Sequence, residues 1–342
     1  ASSDLAHYQD ARRYYLMGED REVLKAFYEF YTAPQEYTRQ GIIITAPFLP
    51  ILLHIFDYDE SNTLPLAIFF VFLSAALTIA WLIYFHARGM PAIWLVGFAA
   101  LPHPLWFTIN IGSDLLAAAI FTAFYFTYST MRDERSRLTW CIAIVVLYLL
   151  TRPAAVSLLM FLIVDQFFLN GSFRNMKRIR SMGITLAVVF APFLVFYIPY
   201  LTQFMRETST QFDYFGYTTP EYIEGIYNEL PYWLDLLLSW FSLACAKLLY
   251  VVGLRPSYGD TSWYMVVARA APGLIFLPGM LYLFFRGEQS EKWIIALVLL
   301  PILAGASQDR YILPVQPLLY FSGFLAFSMV WEKFIKRPGV PP

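Results

Sequence analysis

The sequence predicts an all-α polytopic membrane protein: a single membrane domain of about nine transmembrane helices, with further helices lying on its outer surface. Three observations predict it. Of the 342 residues, 58% are hydrophobic and only 14% are charged. The mean hydropathy of +0.53 lies beyond that of soluble globular chains. Apolar runs close to the ~20 residues that cross a bilayer recur along the chain.

From the N-terminus, residues 1–62 read as a first outer loop that opens on the polar stretch ASSDLAHYQDARRYYLMGED. Its later part, Gly41 to Phe56, carries Pro47, Pro50 and His54 and reads as a surface helix. A transmembrane core over 63–205 follows, with crossings at 63 to 85, 91 to 109, 115 to 131 and 182 to 205. Between the last two, the run from Leu138 to Phe168 is interrupted by Thr151-Arg152-Pro153 and predicts two short helices turning there. Residues 206–262 form a second outer loop. Within it Tyr232 to Leu254 holds Asp235 and Lys247, and charges at a helix centre in hydrocarbon cost about 3 kcal/mol each, so this stretch is expected at the membrane surface or packed half in. The C-terminal part, 263–342, supplies crossings at 263 to 285, Trp293 to Ala306 and 311 to 331, then a cytoplasmic tail.

Charge sets the orientation. Lys and Arg concentrate in short cytoplasmic loops, and HARG, MRDERSR, NGSFRNMKRIRS, RGEQSEK and EKFIKR together hold 13 of the chain's 24 basic residues. Residues 1–62, 206–260, Asp114 and Asp309 hold 19 of the 25 acidic ones. The expected protein is therefore a multi-pass protein of a bacterial-type plasma membrane, its N-terminal segment outside and its C-terminus cytoplasmic.

Composition also excludes partners. A net charge of −1 leaves no basic footprint for nucleic acid, whereas membrane lipid is an obligatory partner. Cys141 and Cys245 sit in apolar runs without CxxC spacing and read as small buried hydrophobes. No HExxH or paired-histidine spacing marks a metal centre. No cofactor is called for, and the one open alternative is a divalent metal beside His7. Asp165 and Arg269 are expected to pair or to extend toward the interface.

The polar residues worth weighing lie at the outer face. Asp4, Tyr8 and Ala11 fall on one helical face in the pattern D-x-x-x-Y-x-x-A, with His7 one turn from Asp4; an N-cap is the alternative for Asp4. Asp114 in INIGSDLLAAAIF opens a helix, either as its cap or as a second carboxylate. Arg310 and Tyr311 in SQDRYILPVQPLLY open the last helix. Arg152 in LLTRPAA stands at another turn on the same face, and Arg39 belongs to the first outer loop. An arginine at such a place is either an interfacial anchor or, through its planar fork, a phosphate ligand.

Taken in order, SSDLAHYQDA, RQGIIITAPFLPILLHIF, GSDLL, LLTRPA and DRYILPVQPLLY resemble the GT-C superfamily of membrane glycosyltransferases, of the protein O-mannosyltransferase and aminoarabinose-transferase type. The likeness covers most of the chain. It implies a GT-C-like helical bundle and transfer of a sugar from a polyprenyl-phosphate carrier to a glycolipid, glycan or protein acceptor. Asp4 would be the catalytic base and Asp114 a supporting catalytic acid group. Arg310, with Tyr311, Arg152, Arg39, His7 and Tyr8 beside it, would bind the substrate. Such enzymes carry a transmembrane helix just before that aspartate, and here three residues precede Asp4. The alternative is a non-catalytic GT-C-like subunit of a larger membrane complex.

Overall fold

The computed structural model describes residues 48–56, 64–101, 113–152, 155–169, 231–254, 263–304 and 312–334. Every element among them is helical, as the all-α reading expects. They are α1 (Phe48–Ile55), α2 (Leu64–Ala87), α3 (Ala92–Ala99), α4 (Ser113–Thr130), α5 (Glu134–Leu149), α6 (Val156–Val164) with a π-helical turn at Asp165–Leu169, α7 (Tyr232–Val251), α8 (Trp263–Arg286), α9 (Gln289–Ala304) and α10 (Gln316–Phe334). Contacts gather the chain into two compact units. The first takes Ala1–Ile83 and His103–Gln203, the second Tyr84–Pro102 and Phe204–Pro342.

Among the described helices α2 alone combines the length and apolarity that cross a membrane. At 1.5 Å per residue its 24 residues span ~36 Å. Only 22% of its most apolar stretch is buried, which separates it from the core helix of a soluble protein. Leu66, Phe70, Ser74, Trp81 and Phe85 turn inward, while Ile68, Phe72, Ile79 and Ile83 form an exposed stripe at helical spacing.

In the first unit Trp81 of α2 anchors on α4. Its indole N–H donates to Thr122 Oγ1 at 3.0 Å, and that hydroxyl donates to the Ala118 carbonyl at 2.8 Å. The ring stacks on Tyr125 with centroids 5.6 Å apart. Helices α4 and α5 are joined by residues 131–133 alone and pack side by side, hence antiparallel. Asp133 caps α5, its carboxylate accepting from the Ser136 N–H at 2.8 Å. This cap starts α5 four residues before the apolar run at Leu138. After Leu149 the chain turns through Thr151 and Arg152 and resumes as α6, the two short helices the sequence predicts. Asp165, first residue of the π-helical turn, accepts from Tyr128 Oη at 2.6 Å and from Gln166 Nε2 at 3.1 Å.

In the second unit α8 and α10 cross through glycines. A Cβ on Gly279 would strike the Leu319 carbonyl, and one on Gly323 would lie 2.6 Å from the Ile275 carbonyl. Around α3, Tyr320 of α10 donates to the Trp94 carbonyl at 2.8 Å and its hydroxyl leaves room only for hydrogen at Gly97. Phe85 stacks on Phe321 with the rings 5.5 Å apart and 4° from parallel.

Three expectations are corrected. The helix expected over 91 to 109 stops at Ala99, with Ala100 in a turn; Pro102 and Pro104 ahead of it cannot donate to a continuing helix. The last helix, expected from 311, starts at Gln316 after a turn over Ile312 to Val315 that contains Pro314. Cys245 is exposed while Cys141 is buried. The 3.6-residue period explains it: Phe241, Cys245 and Leu249 share the outward face of α7, and Lys247, Tyr250 and Val251 the inward one. Lys247 is thus turned into the protein, as a helix packed half in would place it.

Candidate functional site

The site is built where α4 begins and α5 ends. Because α5 runs antiparallel to α4, the residues just past its C-terminus return to the first turn of α4, at the end opposite the Met131-Arg132-Asp133 turn. Ser113 and Asp114 occupy that first turn. An acidic group is favoured there by the partial positive charge of the helix N-terminus.

Pro153 positions the other partner. The residue before a proline is pushed out of helical backbone, so Arg152 leaves α5 with its side chain directed along the hairpin's end. Its backbone is held on both sides. Arg152 N–H donates to the Tyr148 carbonyl at 2.7 Å, and Ala155 N–H donates to the Arg152 carbonyl at 3.2 Å. Thr151 bonds through its hydroxyl to the Leu147 carbonyl at 2.9 Å. Helix α1 fastens to the same turn, the Phe48 N–H donating to the Leu150 carbonyl at 3.0 Å.

Fixed in this way, Arg152 makes two directed contacts. Its Nη2 forms a salt bridge with Asp114 Oδ1, and its Nε donates to Ser113 Oγ at 2.9 Å. The Asp114 side chain is 5% exposed and that of Arg152 15%. Buried Tyr148, one turn before Arg152, lies within electrostatic reach of both charges. Burying either ion alone would cost several kcal/mol by about the usual desolvation penalty, and the pair with its serine contact offsets much of that. The arrangement is a guanidinium held in one orientation by a carboxylate and a hydroxyl. Chemically it offers a fixed, planar cation for an oxyanion, with the carboxylate acting through the arginine.

The structure therefore joins two of the eight residues singled out in the sequence, Asp114 and Arg152. Asp4, His7, Tyr8, Arg39, Arg310 and Tyr311 lie outside the described residues. Ser113 and Tyr148 were not singled out as site residues. The first stands beside Asp114 and reads as part of a helix start; the second is the residue four before Arg152, a signal available in the spacing.

A second polar cluster occupies the other end of the same helices. Besides Tyr128, Asp165 and Gln166 it includes Arg137, whose guanidinium lies 5.2 Å from the Tyr128 ring centroid. It joins α4, α5 and the end of α6. Among the described residues no three His, Cys, Asp or Glu side chains come together as a metal site would require.

No protein-family model, curated protein or solved structure matches this chain.

Proposed function

We propose that the chain is a GT-C-type glycosyltransferase that moves a sugar from a polyprenyl-phosphate carrier to an acceptor at the outer face of the plasma membrane. The observation that carries it is the Asp114–Arg152 pair, a fixed cation at one end of a helical hairpin in a protein whose helices expose apolar faces. Ile68, Phe72, Ile79 and Ile83 on α2, with Phe241 and Leu249 on α7, Leu274, Leu281 and Phe285 on α8 and Leu300 on α9, suit hydrocarbon and not water.

In this reading Asp4 removes the proton from the acceptor hydroxyl as its oxygen attacks the anomeric carbon. The bond from that carbon to the phosphate oxygen breaks, and polyprenyl phosphate leaves. Arginines stabilise the charge that grows on it, Arg310 and Arg152 being the groups proposed, with Arg39, Tyr311, His7 and Tyr8 around the substrate. Asp114 orients Arg152. A positioned base contributes typically 10²- to 10⁴-fold. The membrane habit follows from the donor, whose polyprenyl chain stays in the bilayer.

A second reading draws on the same pair. Asp114 and Arg152 neutralise each other, which equally suits a clamp in a non-catalytic subunit of a larger membrane complex. Assaying the purified full chain against a panel of polyprenyl-phosphate sugars decides between them. Turnover in the parent that is lost in Asp4→Asn, with the variant still folded, is the expected result. A parent without turnover on any donor favours the subunit.

A further inference from the structure

We infer that the bilayer is thinned where it meets α5: lipid covers the exposed face of this helix with a hydrocarbon layer shorter than the one around α2. The inference rests on the membrane reading and not on the glycosyltransferase one. Along α5 and the turn after it, the stretch without charge runs from Leu138 to Thr151, between Arg137 and Arg152. It measures ~21 Å at the helical rise, against ~30 Å for the hydrocarbon of an ordinary bilayer. On α2 the uncharged stretch from Leu64 to Phe85 measures ~33 Å and needs no such adjustment.

So short a stretch is common in helices buried all round, but α5 is not one. Trp140, Ala143 and Leu147 are exposed and share one face at helical spacing, while Cys141, Val145, Tyr148 and Leu149 turn inward. The exposed face is built for lipid. Its one hydroxyl, that of Thr139, donates back to the Arg135 carbonyl at 2.9 Å and carries no unpaired polar group into hydrocarbon. Just before this face stand the exposed cations Arg132 and Arg135, complementary to lipid phosphates, and the Trp140 ring follows as an interfacial residue.

Arginines at the ends of a short span usually close the gap by extending toward the headgroups. Arg137 and Arg152 are both engaged elsewhere. The Arg137 guanidinium lies 5.2 Å from the centroid of the Tyr128 ring, and Arg152 is held through Nη2 by Asp114 and through Nε by Ser113. Each is therefore directed across to α4 and not along α5. On α4 the residues they meet, Asp114 and Tyr128, again lie ~21 Å apart at the helical rise. Tilting the hairpin would only shorten its projection on the bilayer normal. The adjustment falls to the lipid.

The test is the depth of a nitroxide label on two exposed alanines, each near the middle of its uncharged stretch: Ala75→Cys on α2 and Ala143→Cys on α5. Both are made in the full chain with Cys245→Ser, Cys141 being buried, and reconstituted in dioleoyl phosphatidylcholine. Relaxation by oxygen and by a water-soluble nickel chelate reads the depth. The label at Ala75 should lie ~15 Å below the headgroups and that at Ala143 ~10 Å, and in shorter-chain dimyristoleoyl phosphatidylcholine the two depths should converge. Leu147→Cys, expected no deeper than Ala143→Cys, serves if the latter does not fold. Equal depths in the dioleoyl bilayer would overturn the inference. A depth that grows steadily from Thr139→Cys through Ala143→Cys to Leu147→Cys would place α5 in one leaflet and overturn it also. A label at Ala143 shielded from both relaxing agents would assign the face to a protein partner, again against it. Both labels in water would remove the membrane reading and this inference together.

Discussion

Arg152, held by the turn that follows α5, pairs through Nη2 with Asp114 in the first turn of α4 and through Nε with Ser113. Breaking one side leaves a largely buried charge, which costs about 3 kcal/mol or more. Asp114→Leu should therefore lower the unfolding temperature in detergent markedly, and the double variant Asp114→Leu with Arg152→Leu should recover most of it. The clamp reading expects the double variant to keep whatever function the parent has. The enzyme reading expects it to be stable and inactive. Thermal unfolding and transfer measured on the same preparations separate the two.

The cap of α5 makes a pH-dependent contribution. Hydrogen bonds from the Ser136 side chain and backbone hold the Asp133 carboxyl below its ordinary value. A carboxyl lowered in the folded state stabilises above the unfolded value near 3.9, and that gain disappears as pH falls through the folded one. Asp133→Ala should thus be less stable than the parent at pH 7, with the gap closing as pH falls below the unfolded carboxyl value and through the lowered folded one. A gap independent of pH would remove the cap from this role.

Where α8 and α10 cross, a methyl group has no space. Gly323→Ala should cost about 1–3 kcal/mol, the usual range for overpacking, since its Cβ would meet the Ile275 carbonyl at 2.6 Å. Gly89→Ala is the informative control. No atom lies within 4 Å of a Cβ there, and its φ of 79° confines the strain to the backbone. Limited proteolysis of the loops flanking α8 and α10 should rise in the first variant alone.

Tyr128→Phe keeps the aromatic ring but removes the 2.6 Å donor to Asp165. The expected loss is about 1–3 kcal/mol, the cost of a buried acceptor deprived of a bond. Ring contacts with Phe124 and Phe161 remain, so a loss near zero would mean that Gln166 and other contacts carry Asp165 alone.

Orientation is open to cysteine labelling in a Cys245→Ser background, which removes the exposed native thiol. Ser61→Cys should react with a membrane-impermeant maleimide from outside intact cells, and Ser290→Cys only after permeabilisation. Reaction of both from one side would overturn the orientation derived from charge.

Much of the fold was legible in local sequence. The break between α5 and α6 is written in Thr151-Arg152-Pro153, because a proline acts on its immediate neighbours. The start of α4 at Ser113 and Asp114 is equally local. Two other helix ends were read less well: α3 stops short and α10 starts late, each beside two prolines inside an apolar run whose hydropathy conceals them. The site was half legible. Charge placed Asp114 and Arg152 on one face, but their pairing depends on the hairpin bringing the chain back to the start of α4. Hydropathy could not foresee the inward Lys247 or the outward Cys245, since it records how apolar a helix is and not which side meets the protein.

The glycine crossing of α8 and α10 has a mechanical consequence. Side chains usually space packed helices and let them yield by changing rotamer, but here backbone meets backbone at Gly279 and Gly323. Neither helix can sink further toward the other, and separating them would open a gap that no side chain at that point can fill. The two helices are thus held at one fixed spacing where their backbones meet, and the register of α10 against α8 is set there by the glycines alone.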